Sequence, residues 1–464
     1  MAVHQLIPSF VAGDATGQAA LHLQLLLRRL GHFGELYAGE VGPGLESLAH
    51  PASALRPKPD DLVLYHHGIA SPLSSRLMHL PCRRGVVFHN ISPARYYAGT
   101  PLAEALVTGR AQLAAMAPFV DVALGVSDYN CAELREAGYR HVHTVPLFVE
   151  PERFSETSAD KAMLQRLSGP GPVVLSVSRV APHKRFEDLL ALHAELLRLR
   201  PGARLLVVGG YEPGSRYFKS LQHRARELSG VHFLGRLNHA ELVAAYRTAD
   251  VFVSMSEHEG FGVPLVEAMA AEVPVLAYAA AAVPETLGGA GIAFDQKRFA
   301  FLAELVVDLC EDASLRERLL AGQARRLKHF SAEETQKALA KALGEDKRPR
   351  RRAPPARKKP RVGVVVQRYG EVTGGAERHA QQVVEQLAPH WDVTVLTTCA
   401  KNHLTWENAF PPGEERTEEG VRLLRFPVTR VRHIRPFNAL SRQVFDRSNE
   451  RLREEHWVAE QGPV

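Results

Sequence analysis

A β-branched apolar run, Ala249-Asp250-Val251-Phe252-Val253-Ser254, is followed closely by Glu259-Gly260-Phe261-Gly262-Val263-Pro264-Leu265-Val266-Glu267-Ala268-Met269-Ala270. Strand, glycine-punctuated turn and helix in that order predict a βα crossover, and therefore a parallel sheet covered by helices. Pro264 suits the first helical position, where a missing N–H costs nothing. Glu259 is expected in the loop after the strand and Glu267 about one turn into the helix, eight positions apart. Gly260 and Gly262 permit close backbone approach, and the free N–H groups at the start of the helix attract an anion such as a diphosphate.

Three further strands carry polar or small residues at their ends. Val173-Val174-Leu175-Ser176-Val177 runs into a loop holding Arg179 and Lys184; Leu205 to Val208 ends at Gly209-Gly210; Val231-His232-Phe233-Leu234 ends at Gly235-Arg236. Such strand ends line the ligand crevice of open α/β sheets.

The segment from Glu259 to Glu267 resembles the Glu-x7-Glu signature of retaining glycosyltransferases of family 4. That family has the GT-B fold, two Rossmann-like α/β domains facing a cleft. The likeness to its donor half runs from Pro172 to Gly291. It implies that Glu267 holds the ribose hydroxyls of a sugar nucleotide, while Glu259 and the backbone of Gly260, Phe261, Gly262 and Val263 hold the transferred sugar. Arg179 and Lys184 would bind the diphosphate, and Gly235 and Arg236 are candidates to touch the nucleobase. An ordinary crossover with a solvated Glu pair is the competing reading; the Gly-Phe-Gly turn and the neighbouring motifs argue against it. Breaking the sugar–phosphate bond leaves negative charge to be stabilised as it develops. No Asp-x-Asp occurs in the chain, so fixed cations and a helix terminus are expected in place of a metal, with no cofactor. The resemblance further implies a front-face reaction in which the leaving phosphate accepts the acceptor's proton, without an enzyme nucleophile.

The first part of the chain reads as another α/β unit. Val3 to Phe10 is an apolar strand, a loop contains Gly13, Asp14 and Gly17, and Ala19 to Leu30 is apolar at helical spacing. In the family this loop faces the donor across the cleft. Asp61 to Gly68 and Gly85 to Tyr97 each end an apolar run in imidazole. His89-Asn90-Ile91-Ser92-Pro93 resembles the His-Asn-x-x-Pro segment of a subset of these enzymes, which makes His89 the first choice for a catalytic cleft residue. His66, His67, Asn90 and Tyr96 are acceptor-side candidates, with a satisfied structural histidine as the alternative at His66 and His67.

The chain has 464 residues, too many for one ordinary domain, and its 45% apolar content suffices for buried cores. Expected boundaries are 1–148 for the acceptor-side domain, 149–171 for the hinge and 172–345 for the donor domain with a closing helix from Ser331 to Leu343. Lys347 to Arg361 contains nine Lys or Arg, four Pro and no acid, so the net charge of +6 resides in this stretch and the rest is net acidic. It reads as an extended spacer, with anionic lipid or nucleic acid as alternative partners. After it, Val362 to Gly370 and Thr373-Gly374-Gly375-Ala376-Glu377 resemble the opening of a second, incomplete family 4 N-terminal domain over 362–464.

Four scattered cysteines show neither metal-ligand nor disulfide spacing, and no segment reads as a signal peptide or membrane span. A cytoplasmic protein follows, with peripheral contact at the inner face of the membrane as a further option. The expected partners are a nucleotide sugar and a carbohydrate or lipid-linked acceptor, with no specific nucleic acid. A sugar-nucleotide-binding scaffold without turnover and a nucleic-acid or membrane binder acting through the basic stretch are the other function classes.

Overall fold

The computed structural model describes residues 1–11, 14–344, 361–370, 375–388, 391–402, 405–417 and 420–429. Two compact units divide the chain, Met1–Arg348 and Pro349–Val464.

The first unit contains two parallel sheets. In the first, β1 (Val3–Phe10), β2 (Leu36–Val41), β3 (His50–Pro51), β4 (Leu62–His67), β5 (Arg83–Phe88), β6 (Val122–Gly125) and β7 (Val142–Thr144) are ordered β3-β2-β1-β4-β5-β6-β7. In the second, β8 (Val173–Val177), β9 (Arg204–Val208), β10 (Val231–Gly235), β11 (Val251–Ser254), β12 (Val275–Tyr278) and β13 (Ile292–Phe294) are ordered β10-β9-β8-β11-β12-β13. Every residue of β4 is buried, as expected for a central strand covered by helices on both faces. Strand order reverses direction at β1, which pairs with β2 and β4, and at β8, which pairs with β9 and β11. Crevices form at the carboxyl ends of strands where the order reverses.

Local chemistry explains the element boundaries. The helix Ala15–Arg29 starts four residues before the apolar periodicity does, because Asp14 accepts a hydrogen bond from Gly17 N at 3.0 Å and caps it. Gly17 thus lies inside the first turn rather than in an open loop. A β-carbon there would meet the Phe10 ring at 3.0 Å, so the glycine lets the helix sit close on β1.

The helix Ala332–Ala342 begins at Ser331, whose hydroxyl caps Glu334 N. It follows the second sheet in the chain, yet Leu339, Ala342 and Leu343 pack with Val3, Leu23, Leu62, Leu124 and Phe148 of the first. Its amphipathic stripe completes the first domain's core, a burial that periodicity does not assign to either sheet.

The second unit holds β14 (Arg361–Val365), the helix Gly375–Leu387, β15 (Asp392–Thr398), β16 (Gly413–Arg416) and β17 (Arg422–Phe426), ordered β14-β15-β17-β16. Among the described residues β14 pairs with β15 alone. The basic stretch before it, apart from Arg361, lies outside the described residues, as do Thr373 and Gly374. No described helix is long and apolar enough to cross a membrane.

Candidate functional site

The carboxyl ends of β8 and β11 bring the charged residues together. After β8 the chain makes a short turn, Pro182–Lys184, and Arg185 adopts a left-handed conformation, φ 55°, before the helix Phe186–Leu199. This turn directs Lys184 toward the loop after β11, where its Nζ lies 2.6 Å from Glu259 Oε1. Gly262, at φ 90°, ends that loop and begins the helix Val263–Ala270. Pro264 occupies the second helical position, not the first; its missing N–H is equally harmless there, since the first four amides have no partner within the helix.

Glu267 projects from the next turn. The hydroxyl of Tyr246, a fully buried residue, donates to its Oε2 at 3.1 Å. Burial raises the Glu267 carboxyl above its ordinary range, and the Tyr246 hydrogen bond opposes that shift. Phe261 is 5% exposed and packs with Val126, Val266 and Phe330, so its ring joins the two domains while its backbone passes the site. Gly235 takes φ 70°, and Arg236 lies across Gly210, where a β-carbon would stand 2.8 Å from its Nε.

Most cations here are already paired. Arg185 contacts Glu187, Asp188 and Glu257 at 2.8, 3.1 and 3.3 Å, and Lys297 contacts Asp188 and Glu257 at 2.7 and 2.9 Å. Arg179 is exposed beside the Tyr97 hydroxyl, and no described carboxylate pairs with it. Arg179 and Lys184 therefore lie outside the Glu257–Asp188 network.

The facing rim, at the ends of β4 and β5, is built from neutral imidazoles. His89 Nε2 lies 2.7 Å from His66 Nδ1, and the rings stack at 5.0 Å between centroids. Burial lowers the His66 pKa far below its ordinary value and that of His89 to about 4. A small pocket adjoins the pair and is lined also by His22, Leu26, Phe148 and Thr335. His66 and His67 are both fully buried; His66 lines that pocket beside His89, whereas His67 Nε2 is taken by Gly109 O at 2.9 Å. Gly13 lies outside the described residues.

Across the cleft the two rims touch. Asn90, held at φ 73°, donates through Nδ2 to Asn130 Oδ1 at 2.7 Å and accepts through Oδ1 from His258 Nε2 at 2.6 Å. Ser127 Oγ donates to Gly260 O at 2.7 Å, and Glu285 accepts from Asp128 N and Tyr129 N at 2.7 and 3.2 Å. Tyr96 OH donates to Glu257 Oε2 at 3.0 Å, and Tyr97 OH pairs with His183 Nδ1 at 2.9 Å. Gly260 is required at this junction: a β-carbon would come within 2.7 Å of Asn90 Cβ. Burial, aided by Lys184, His258 and Arg179, lowers His183 to about 2; burial lowers His258 to about 4.

Sequence reasoning missed Ser127, Asn130, His183, His258 and Glu285. His258 precedes Glu259 and His183 precedes Lys184, so adjacency to the motif residues was the available signal. Nothing local distinguishes Asn130 or Glu285, whose partners lie in distant segments.

Residues 164–325 match the family model described as glycosyl transferases group 1. A GDP-mannose-dependent monoacylated alpha-(1-6)-phosphatidylinositol monomannoside mannosyltransferase of Corynebacterium glutamicum is 30% identical over 230 residues, 46% of this chain and 58% of that protein. The chain spans about half the length of the curated relatives it matches. The structure is similar to sucrose-phosphate synthase from Thermosynechococcus elongatus (TM-score 0.59, 19% identity, 74% of this chain and 99% of that one). It is also similar to Anabaena HepE in complex with UDP-glucose (TM-score 0.56, 15% identity, 74% and 100%). The fold of the first unit is GT-B, and the matches support a glycosyltransferase.

Proposed function

We propose that the chain is a retaining, metal-independent hexosyltransferase that moves a sugar from a nucleoside diphosphate to a hydroxyl acceptor in glycolipid or polysaccharide synthesis. The observation that carries this reading is the placement of Lys184, Glu259, Glu267 and the Gly262 helix start around the crevice of the second sheet. Glu267 would take the ribose, with Tyr246 holding the carboxylate in place. Lys184, Arg179 and the amides following Gly262 would take the diphosphate and the charge that develops on it. Lys184 is paired with Glu259 here, so the donor phosphate would replace that carboxylate and release Glu259 toward the sugar.

His89, facing this site from the first sheet, would orient the sugar or acceptor. Because the Corynebacterium relative is named for GDP-mannose and a phosphatidylinositol mannoside, GDP-mannose and a lipid-linked mannoside are the first substrates to try.

A thermal-shift screen of nucleotide sugars followed by a transfer assay tests the proposal. A donor at about 100 times its Kd stabilises the fold by roughly 2.7 kcal/mol. Stabilisation with product whose anomeric configuration matches the donor supports the reading. Stabilisation without transfer identifies a binding scaffold, inverted product removes the retaining assignment, and no response to any nucleotide sugar removes the reading altogether. Loss of transfer on chelation, restored by a divalent ion, would remove the metal-independent part.

A further inference from the structure

Buried polar side chains in a central parallel strand must satisfy their hydrogen bonds inside the protein, and Gln5, 1% exposed in β1, does so at both ends of its amide. One end lies 2.9 Å from Ala20 O, the other 2.8 Å from His66 Nε2. A carbonyl oxygen only accepts, so the Gln5 nitrogen must face Ala20 and its Oε1 must face His66. Oε1 also only accepts; His66 Nε2 therefore carries a proton. His66 is neutral, which leaves its Nδ1 bare, and the 2.7 Å contact then requires the proton on His89 Nε2. His89 is neutral as well, so its Nδ1 is a bare acceptor; among the described residues the hydrogen bond of this ring is the one through Nε2.

We infer that Gln5 and His66 are positioning residues that set the tautomer of His89, so that it presents Nδ1 as a hydrogen-bond acceptor to a hydroxyl of the sugar or acceptor. The chain of donors runs in one direction only, from His89 through His66 to the Gln5 carbonyl, and the helix carbonyl of Ala20 anchors it. The opposite tautomer would place a donor at the cleft, which cannot accept from a hydroxyl whose own proton must point somewhere. The inference rests on the proposed reading in which His89 meets substrate.

Long-range imidazole 1H–15N correlation on the full chain at pH 7.5 tests the tautomers without substrate. The expected result is a pyrrole-type Nε2 and a pyridine-type Nδ1 in both His66 and His89; a pyrrole-type Nδ1 in His89 would overturn the inference. Gln5→Leu removes the acceptor of His66 and frees both rings. It should mix the His89 tautomers and lower kcat about tenfold, the size of one misdirected hydrogen bond, with KM for the nucleotide sugar unchanged.

His66→Phe keeps the stacked ring without a nitrogen and should give the same kcat loss, providing a second route if Gln5→Leu fails to fold. Unchanged kcat in folded variants would show that the pair is structural and end the positioning role. If the wild-type chain transfers no sugar at all, the proposed function fails while the spectrum still decides the tautomers.

Discussion

The two rims of the cleft are built alike and charged differently. Both stand at the carboxyl ends of parallel strands, yet the β8–β11 rim carries Arg179, Lys184, Arg185, Lys297 and several carboxylates, whereas the β4–β5 rim carries His66 and His89 in neutral form. The difference lies in solvation. On the charged rim the buried or half-buried cations find carboxylates; among the described residues no carboxylate contacts His66 or His89, and burial drives their protons off. One fold therefore sets a charged surface opposite a neutral one.

The largest effect expected from this contrast is on acid stability. His66, His89, His183 and His258 are neutral in the folded chain but would take protons once unfolded, near the ordinary imidazole value. Their folded-state pKa values are depressed, so stability is full above about pH 6.5 and declines as pH falls below it, until His89 and His258 titrate in the folded state near pH 4. Each such group contributes a loss of roughly 1.4 kcal/mol per pH unit in that window. Thermal unfolding between pH 7.5 and 4.5 should show a steep fall in Tm, made shallower by His258→Asn. A flat Tm across that range would mean that these four imidazoles are not desolvated as described.

Next in size is the charged rim. Lys184→Ala or Arg179→Ala should slow transfer by on the order of 10²-fold, while chelator leaves the wild-type rate nearly unchanged. Equal rates in the variants would show that the phosphate charge is met elsewhere. Glu267→Ala should weaken both the sugar nucleotide and the free nucleotide by about tenfold or more, the scale of a lost hydrogen bond to a charged group. Calorimetric titration that finds free nucleotide affinity unchanged would take the ribose away from Glu267.

A smaller and opposite change is expected at its neighbour. Glu259→Gln releases Lys184 from its ion pair, so a free nucleoside diphosphate should bind a few-fold more tightly, in keeping with the modest strength of a partly exposed pair, even as transfer declines. Weaker binding in that variant would show that Glu259 itself contacts the nucleotide. The smallest effect concerns the rest of the chain. Met1–Arg348 is a compact unit, and a chain ending at Gly344 is expected to keep the transfer rate of the full protein. A folded, donor-binding short chain that has lost turnover would place part of the site in the second unit.

Much of the fold was legible because its signals are local. Val3–Phe10 was read with its observed limits, and the strand, turn and helix around Glu259 follow from β-branching, two glycines and a proline within one stretch of chain. Misreadings occurred where a local signal was overridden or incomplete. The side-chain cap of Asp14 extended a helix beyond its apolar pattern and drew Gly17 into it, and Pro264 settled one position later than expected because Gly262 takes the capping conformation.

The sequence alone determined the strand, turn and helix around Glu259 and the Glu-x7-Glu spacing, since these depend on dihedral preference and on side chains within a few residues of one another. Only the tertiary structure decided that Lys184 meets Glu259 across 75 positions, that Asn90 meets His258 across 168, and that the helix Ala332–Ala342 closes the first core. It also decided which histidines are neutral. Desolvation and long-range pairing are properties of packed segments, because they depend on the atoms that surround a group once distant parts of the chain have come together.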